Sequence, residues 1–163
     1  MNHFDEEPVV AFFPDRLGKG KAFSKWPLHL TIVPPAHVEV EKVYGAVHSS
    51  IGDTIGQIEI GESDMFGESG DTLVYHVHPE LELRRLHRDI LARLGGATVL
   101  RSMESEWVGD NYSPHITPKP DQGIVMTGEV YVFDNLTIVG RDQASGLRVI
   151  RSVIDMAMPY EDN

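Results

Sequence analysis

The chain has no cysteine. That removes a disulfide framework, a thiolate metal site and a cysteine nucleophile together. Long apolar runs are also missing, and none approaches the ~20 residues of a membrane-spanning helix. The first residues, Met1-Asn2-His3-Phe4-Asp5-Glu6-Glu7, are acidic where a secretory leader opens basic and then turns apolar. A cytoplasmic protein with no membrane partner is therefore expected. Positive charge is scarce: 14 Lys and Arg stand against 25 Asp and Glu, a formal net charge of -11. Grip on a long nucleic acid comes from lysines and arginines that displace counterions, so such a partner is excluded. A small nucleotide or an oligonucleotide end remains compatible, and Lys19, Lys21 and Lys25 form the clearest basic island.

What is present suffices for one compact core. At 163 residues and 41% hydrophobic, the chain reads as a single domain over 1–163, with tails at about 1–7 and 158–163, and a monomer is expected. The run Val9 to Phe13 predicts a buried strand stopped by Pro14-Asp15, followed by a polar loop over 15–25. A second strand, Leu28 to Val33, ends at Pro34-Pro35. Apolar residues at Val40, Val43, Val47 and Ile51 predict a helix from Val38 to about Ile51. Strands over Gln57 to Ile60 and Thr72 to His78 flank a glycine-rich loop, Gly61 to Gly70. A second helix, Glu80 to Leu94, carries the stripe Leu83, Leu86, Ile90 and Leu94 and stops at Gly95-Gly96. A last pair of strands, Gly128 to Val139 and Leu147 to Met156, joins through a turn at 141–146. Hairpin-like strand pairs at both ends predict an α+β fold rather than a doubly wound parallel sheet.

One phrase occurs twice: Leu28-His29-Leu30-Thr31-Ile32 and Pro114-His115-Ile116-Thr117-Pro118. On a strand, each His and the Thr two residues later point to the same face while the residue between them enters the core. A shuffled chain of this composition would hold roughly 0.3 His-x-Thr triplets, so the triplet alone says little. Apolar flanks, a nearby proline at both copies and one copy in each half give it weight. Two such pairs facing each other supply two proton-transfer groups and two hydroxyl donors around one small anion, which suits phosphodiester cleavage without a metal.

These phrases, with the Glu80 to Leu94 helix, Phe66-Gly67 and Tyr112-Ser113-Pro114-His115-Ile116-Thr117, resemble the 2H (two-histidine) phosphoesterase superfamily, also called the 2′-5′ RNA ligase-like or cyclic phosphodiesterase family. The resemblance spans about Val9 to Ile154. It implies a bilobal α+β fold in which two antiparallel sheets with pseudo-twofold symmetry flank a cleft, with helices on the outer faces. It maps the catalytic pairs onto His29 with Thr31 and His115 with Thr117. It also implies a phosphodiesterase acting on a small nucleotide or RNA end, at a 2′,3′-cyclic phosphate or a 2′-5′ linkage, with no cofactor. The chain departs from larger relatives in having Val33 and Lys119, rather than arginine, after its motifs.

In that scheme one histidine takes a proton from water, the other gives one to the departing ribose oxygen, and either can hold either role. Thr31 and Thr117 would donate to the non-bridging oxygens. Substrate-binding candidates are Lys119 on the motif face, Tyr112, which could reach the phosphate or pack beneath the strand, and His76. Phe66, Trp26 and Trp107 are loop aromatics able to stack on a base or to cap a core. His76 and His78 share a strand face, but without a third ligand no metal site is expected. His3, His37, His48 and His87 read as surface residues. Two other functions remain compatible with the sequence: hydrolysis of a cyclic mono- or oligonucleotide signal, and a non-catalytic nucleotide-binding module.

Overall fold

The computed structural model describes residues 6–52, 55–67, 69–100, 111–119, 121 and 125–156. Residues 1–5 and 158–163 of the expected tails, Trp107 and the loop around it lie outside the described residues, whereas Glu6, expected in the tail, is buried and accepts from Arg151. The elements are β1 (Val9–Phe12), β2 (Ala22–Phe23), β3 (Leu30–Val33), α1 (Val40–Ser50), β4 (Gly56–Phe66), β5 (Thr72–His78), α2 (Glu80–Leu94), β6 (His115–Ile116), β7 (Val130–Phe133), β8 (Asn135–Arg141) and β9 (Arg148–Asp155). The fold is α+β, and every strand pairing is antiparallel.

Both helices form where the apolar stripes predict them. In α1, Val40, Val43, Ala46 and Val47 are buried. In α2, Leu83, Leu86, Ile90 and Leu94 are buried with His87 and Leu91, and Gly95 ends the helix at φ 108°, a left-handed conformation open to glycine. His87 is thus a core residue, not the expected surface one; its side chain has found a partner inside.

The strands differ from expectation in three places. β4 does not stop at Ile60; it bulges between Ile60 and Ser63 and runs on to Phe66, because β5 offers a ladder that polar residues can also use. The single strand expected over Gly128 to Val139 is two, β7 and β8, broken at Asp134. Within the expected loop over 15–25, Ala22 and Phe23 pair with β9.

Among the described residues the strands do not divide into the expected pair of sheets either. One nine-stranded sheet runs β2-β9-β8-β1-β3-β6-β5-β4-β7, with the two motif strands adjacent near its middle. The halves that would have been separate are stitched by the β3–β6 pairing at Leu30 and Ile116. This sheet cannot be flat. β7 and β8 lie six strand steps apart, ~29 Å at ~4.8 Å per step. Yet only Asp134 separates them in sequence, and two residues on, the chain has reached at most ~7 Å. The sheet must therefore bend until its β7 edge returns to the start of β8, where Phe133 packs on Phe12 with ring centroids 5.0 Å apart.

Both helices lie side by side on one face. α2 packs on β3 and β5, and α1 packs on β8 and β9. The main core fills that face, joining Phe12, Leu30, Ile32, Ile58, Leu83, Ile90 and Ile116. A smaller apolar cluster of Val9, Ala11, Phe13, Val139 and Ile150 covers part of the other face. β1 is buried on both sides, which is why it reads as an unbroken apolar run.

Candidate active site

Strand pairing alone assembles the motif residues. Leu30 and Ile116 face the helices, so His29 and Thr31 on one strand and His115 and Thr117 on the other take the opposite face. Continuing the Leu30–Ile116 register by one residue each way sets Thr31 across from His115 and His29 across from Thr117. On that register the four side chains would stand at the corners of a square, with the histidines on one diagonal and the threonines on the other. Diagonal neighbours on such a pair stand ~7–8 Å apart, enough to hold one phosphoryl group between two imidazoles.

Each imidazole is oriented by the same device. His29 Nδ1 lies 2.8 Å from the Pro27 carbonyl. His115 Nδ1 lies 2.8 Å from the Ser113 carbonyl. A carbonyl only accepts, so Nδ1 carries the hydrogen in both rings and the neutral form has its lone pair on Nε2. The bond also fixes the ring plane. Burial pushes the His29 imidazole from its usual 6.5 down to about 4; the Pro27 bond opposes this, and the charges of Lys119 and His115 add to the fall. Lys119 is thereby near His29. His29 is neutral at pH 7.

Aromatic rings flank both histidines. Trp26 stands 4.6 Å from the His29 ring and packs on Phe13 and Phe23, with the Arg148 guanidinium 5.9 Å from its centroid. These contacts place Trp26 beside His29, within the apolar cluster that the sequence allowed it to cap. Phe66, at the end of β4 and half-buried, stands edge-on 4.9 Å from His115 and 5.7 Å from His76.

His76 sits beside the square, paired in register with His115. Its Nε2 donates to Asp64 Oδ2 at 2.8 Å across the β4–β5 hairpin. That hydrogen bond, with one from the Met65 backbone, holds the Asp64 carboxyl below its usual range. Sequence reading missed Asp64, since its partner lies 12 residues away and only the register brings them together. His76 and His78 do share a face, and among the described residues no group of three or more His, Asp or Glu is arranged to hold a metal.

Tyr112 is not a phosphate ligand. It is buried on the helix side, stacked on His87 at 4.1 Å with planes 11° apart, and its hydroxyl donates to the Thr31 carbonyl at 2.7 Å. Burial drives its hydroxyl far above the ordinary phenol range. His87 Nδ1 donates to the neighbouring Ile32 carbonyl at 2.7 Å. The motif strand is thus held from beneath by two side chains that belong to other elements.

Comparison with known proteins agrees with this architecture. The fold is similar to that of TT0787 of Thermus thermophilus, at a TM-score of 0.57 and 17% identity over 94% of this chain and 99% of that one. It is also similar to E. coli LigT, solved in complex with ATP, at a TM-score of 0.55 and 14% identity over 94% and 98%. A LigT structure in complex with 3′-AMP aligns at a TM-score of 0.51 and 14% identity over 94% and 99%. The chain matches no curated protein in sequence. Among the described residues, no helix is long and apolar enough to cross a membrane. The 2′-5′ RNA ligase superfamily model matches residues 8–122, a stretch holding both His-x-Thr phrases, and the chain belongs to that superfamily.

Proposed function

We propose that the protein is a metal-independent phosphodiesterase that acts on a small nucleotide or an RNA end, at a 2′,3′-cyclic phosphate or a 2′-5′ linkage. The observation that carries this reading is the diagonal pair of histidines, each with Nδ1 tied to a carbonyl two residues back. Membership of a phosphoesterase superfamily supports the reaction class, and the nucleotide-bound LigT structures support the ligand class.

Neutral His29 is suited to be the base. Its Nε2 takes a proton from water as the water oxygen bonds to phosphorus. The bond from phosphorus to the ribose oxygen breaks, and His115, protonated at Nε2, gives that oxygen its proton. The histidines then exchange a proton with solvent and return to their starting states. Thr31 and Thr117 donate to the non-bridging oxygens, and Lys119 offsets the added negative charge. Phe66 stands edge-on to His115 and His76 and bounds the site on that side.

The test is turnover in EDTA of 2′,3′-cyclic mononucleotides, a 2′-5′-linked dinucleotide and cyclic dinucleotides. Parent protein should convert at least one member of the panel. His29→Ala and His115→Ala should each lose kcat by about 10²- to 10⁴-fold with little change in ligand affinity. Activity that EDTA abolishes and zinc restores would overturn the metal-free scheme. A silent panel with histidine-independent nucleotide binding would leave a binding module.

A further inference from the structure

The face that carries the histidines continues past His76 into an open pocket of about 430 Å³, lined by Glu59, Gly61, Glu62, His76, His78 and Thr127. That volume falls within the range of sites that hold small organic ligands. The pocket is continuous with the proposed site because His76 belongs to both: it pairs with His115 on one side and forms the pocket wall on the other. His78, two residues further along the same face, extends the wall, and Glu59 pairs with it across β4.

The pocket lies against the β4 bulge. Gly61 lies inside it, and a Cβ there would stand 2.7 Å from His78 Nε2, so the imidazole lies directly over bare backbone. The Gly61 carbonyl is taken by the Thr127 hydroxyl at 2.8 Å, which ties the segment before β7 to the pocket floor. Glu80 at the rim is paired with Arg84. Glu59 and Glu62 have no ion-pair partner among the described residues, and both are exposed to the pocket's solvent.

These walls select a chemistry. Ionised carboxylates accept hydrogen bonds and cannot donate, so they favour a ligand edge bearing an amino group over one lined by carbonyl oxygens, and repel a phosphate. The scissile phosphate belongs between the histidines, and His115, which faces this pocket through His76, is the group that protonates the leaving oxygen. We infer that the pocket holds the nucleoside bearing the leaving oxygen, with an amino-bearing base such as cytosine set against Glu59 and Glu62. The enzyme would then favour substrates in which that nucleoside carries no phosphate besides the scissile one. The inference takes the place of the scissile phosphate from the phosphodiesterase reading.

The test uses free nucleosides, which need no turnover, beside cyclic phosphates, which do. Cytidine titrated into the ¹⁵N-labelled full chain should shift the His76, His78 and Thr127 resonances, and uridine should do so at least about tenfold more weakly, the worth of a charge-assisted hydrogen bond. The kcat/KM ratio of cytidine to uridine 2′,3′-cyclic phosphate should show the same preference. Glu59→Gln with Glu62→Gln should bring both ratios close to one. Gly61→Ala, whose methyl displaces His78, should weaken cytidine binding. Resonances that do not move, or equal binding of the two nucleosides, would overturn the proposal whether or not any phosphodiester is cleaved. Selective cytidine binding with no turnover of any phosphodiester would uphold the pocket and overturn the phosphodiesterase reading instead.

Discussion

At the scale of single residues, the chemistry rests on how two imidazoles are held. His29 and His115 were legible in the sequence because strand alternation dictates that each shares a face with its threonine. Their anchors were not, since any residue has a carbonyl and only the backbone path through Pro27 and Ser113 brings one to Nδ1. The depressed affinity of His29 for protons has a thermodynamic counterpart. Its folded value, about 4, lies below the 6.5 of an unfolded histidine, so over this interval the unfolded chain binds the extra proton. The stability tied to neutral His29 is fully present above pH 6.5 and is lost as pH falls toward 4, up to about 3 kcal/mol in all. Urea unfolding at pH 7 and pH 4.5 should therefore show a larger loss for the parent than for His29→Gln. Equal losses would mean that the buried ring takes up its proton without penalty. The same residue scale explains why Asp64 escaped sequence reading: nothing local marks it, and its bond to His76 exists only because β4 passes through the segment expected to be a loop.

At the scale of elements, α2 and the segment before β6 act as a clamp on β3. The apolar stripe of α2 was plain from its spacing, but His87 interrupts the stripe with a polar group that a surface position would explain equally well. What decides the matter is a partner 55 residues away, the Ile32 carbonyl, which makes burial of the ring tolerable. Tyr112 completes the clamp from the far side of the chain. Tyr112→Phe keeps the ring stacked on His87 but leaves the Thr31 carbonyl without its donor. The expected cost is about 1–3 kcal/mol in urea unfolding, the penalty of an unsatisfied buried acceptor, with KM essentially unchanged. A raised KM at unaltered stability would return Tyr112 to the role of phosphate ligand that the sequence allowed.

At the scale of the whole molecule, the decisive feature is the joining of β3 to β6, a pairing between residues 86 positions apart. Periodicity and turn residues report on neighbours in sequence, so they located nearly every element and left this pairing invisible; the resemblance supplied two sheets where one bent sheet forms. The difference has physical content. Leu30 is fully buried, pairs with Phe12 on one side and Ile116 on the other, and belongs to a core that contains residues from both ends of the sheet. The two helices that cover that core also pack on each other, α1 toward β8 and β9 and α2 toward β3 and β5. Neither half can then lose its packing without exposing the other, so unfolding should be one cooperative event. Amide exchange at Val10 in one half and at Val77 in the other, followed through a urea titration, should report the same midpoint. Leu30→Ala should lower both midpoints together, by about 2–5 kcal/mol in stability, since it opens a cavity at the seam itself. Midpoints that separate would mean that the halves are independently stable lobes, and that the catalytic square is assembled by docking rather than by folding.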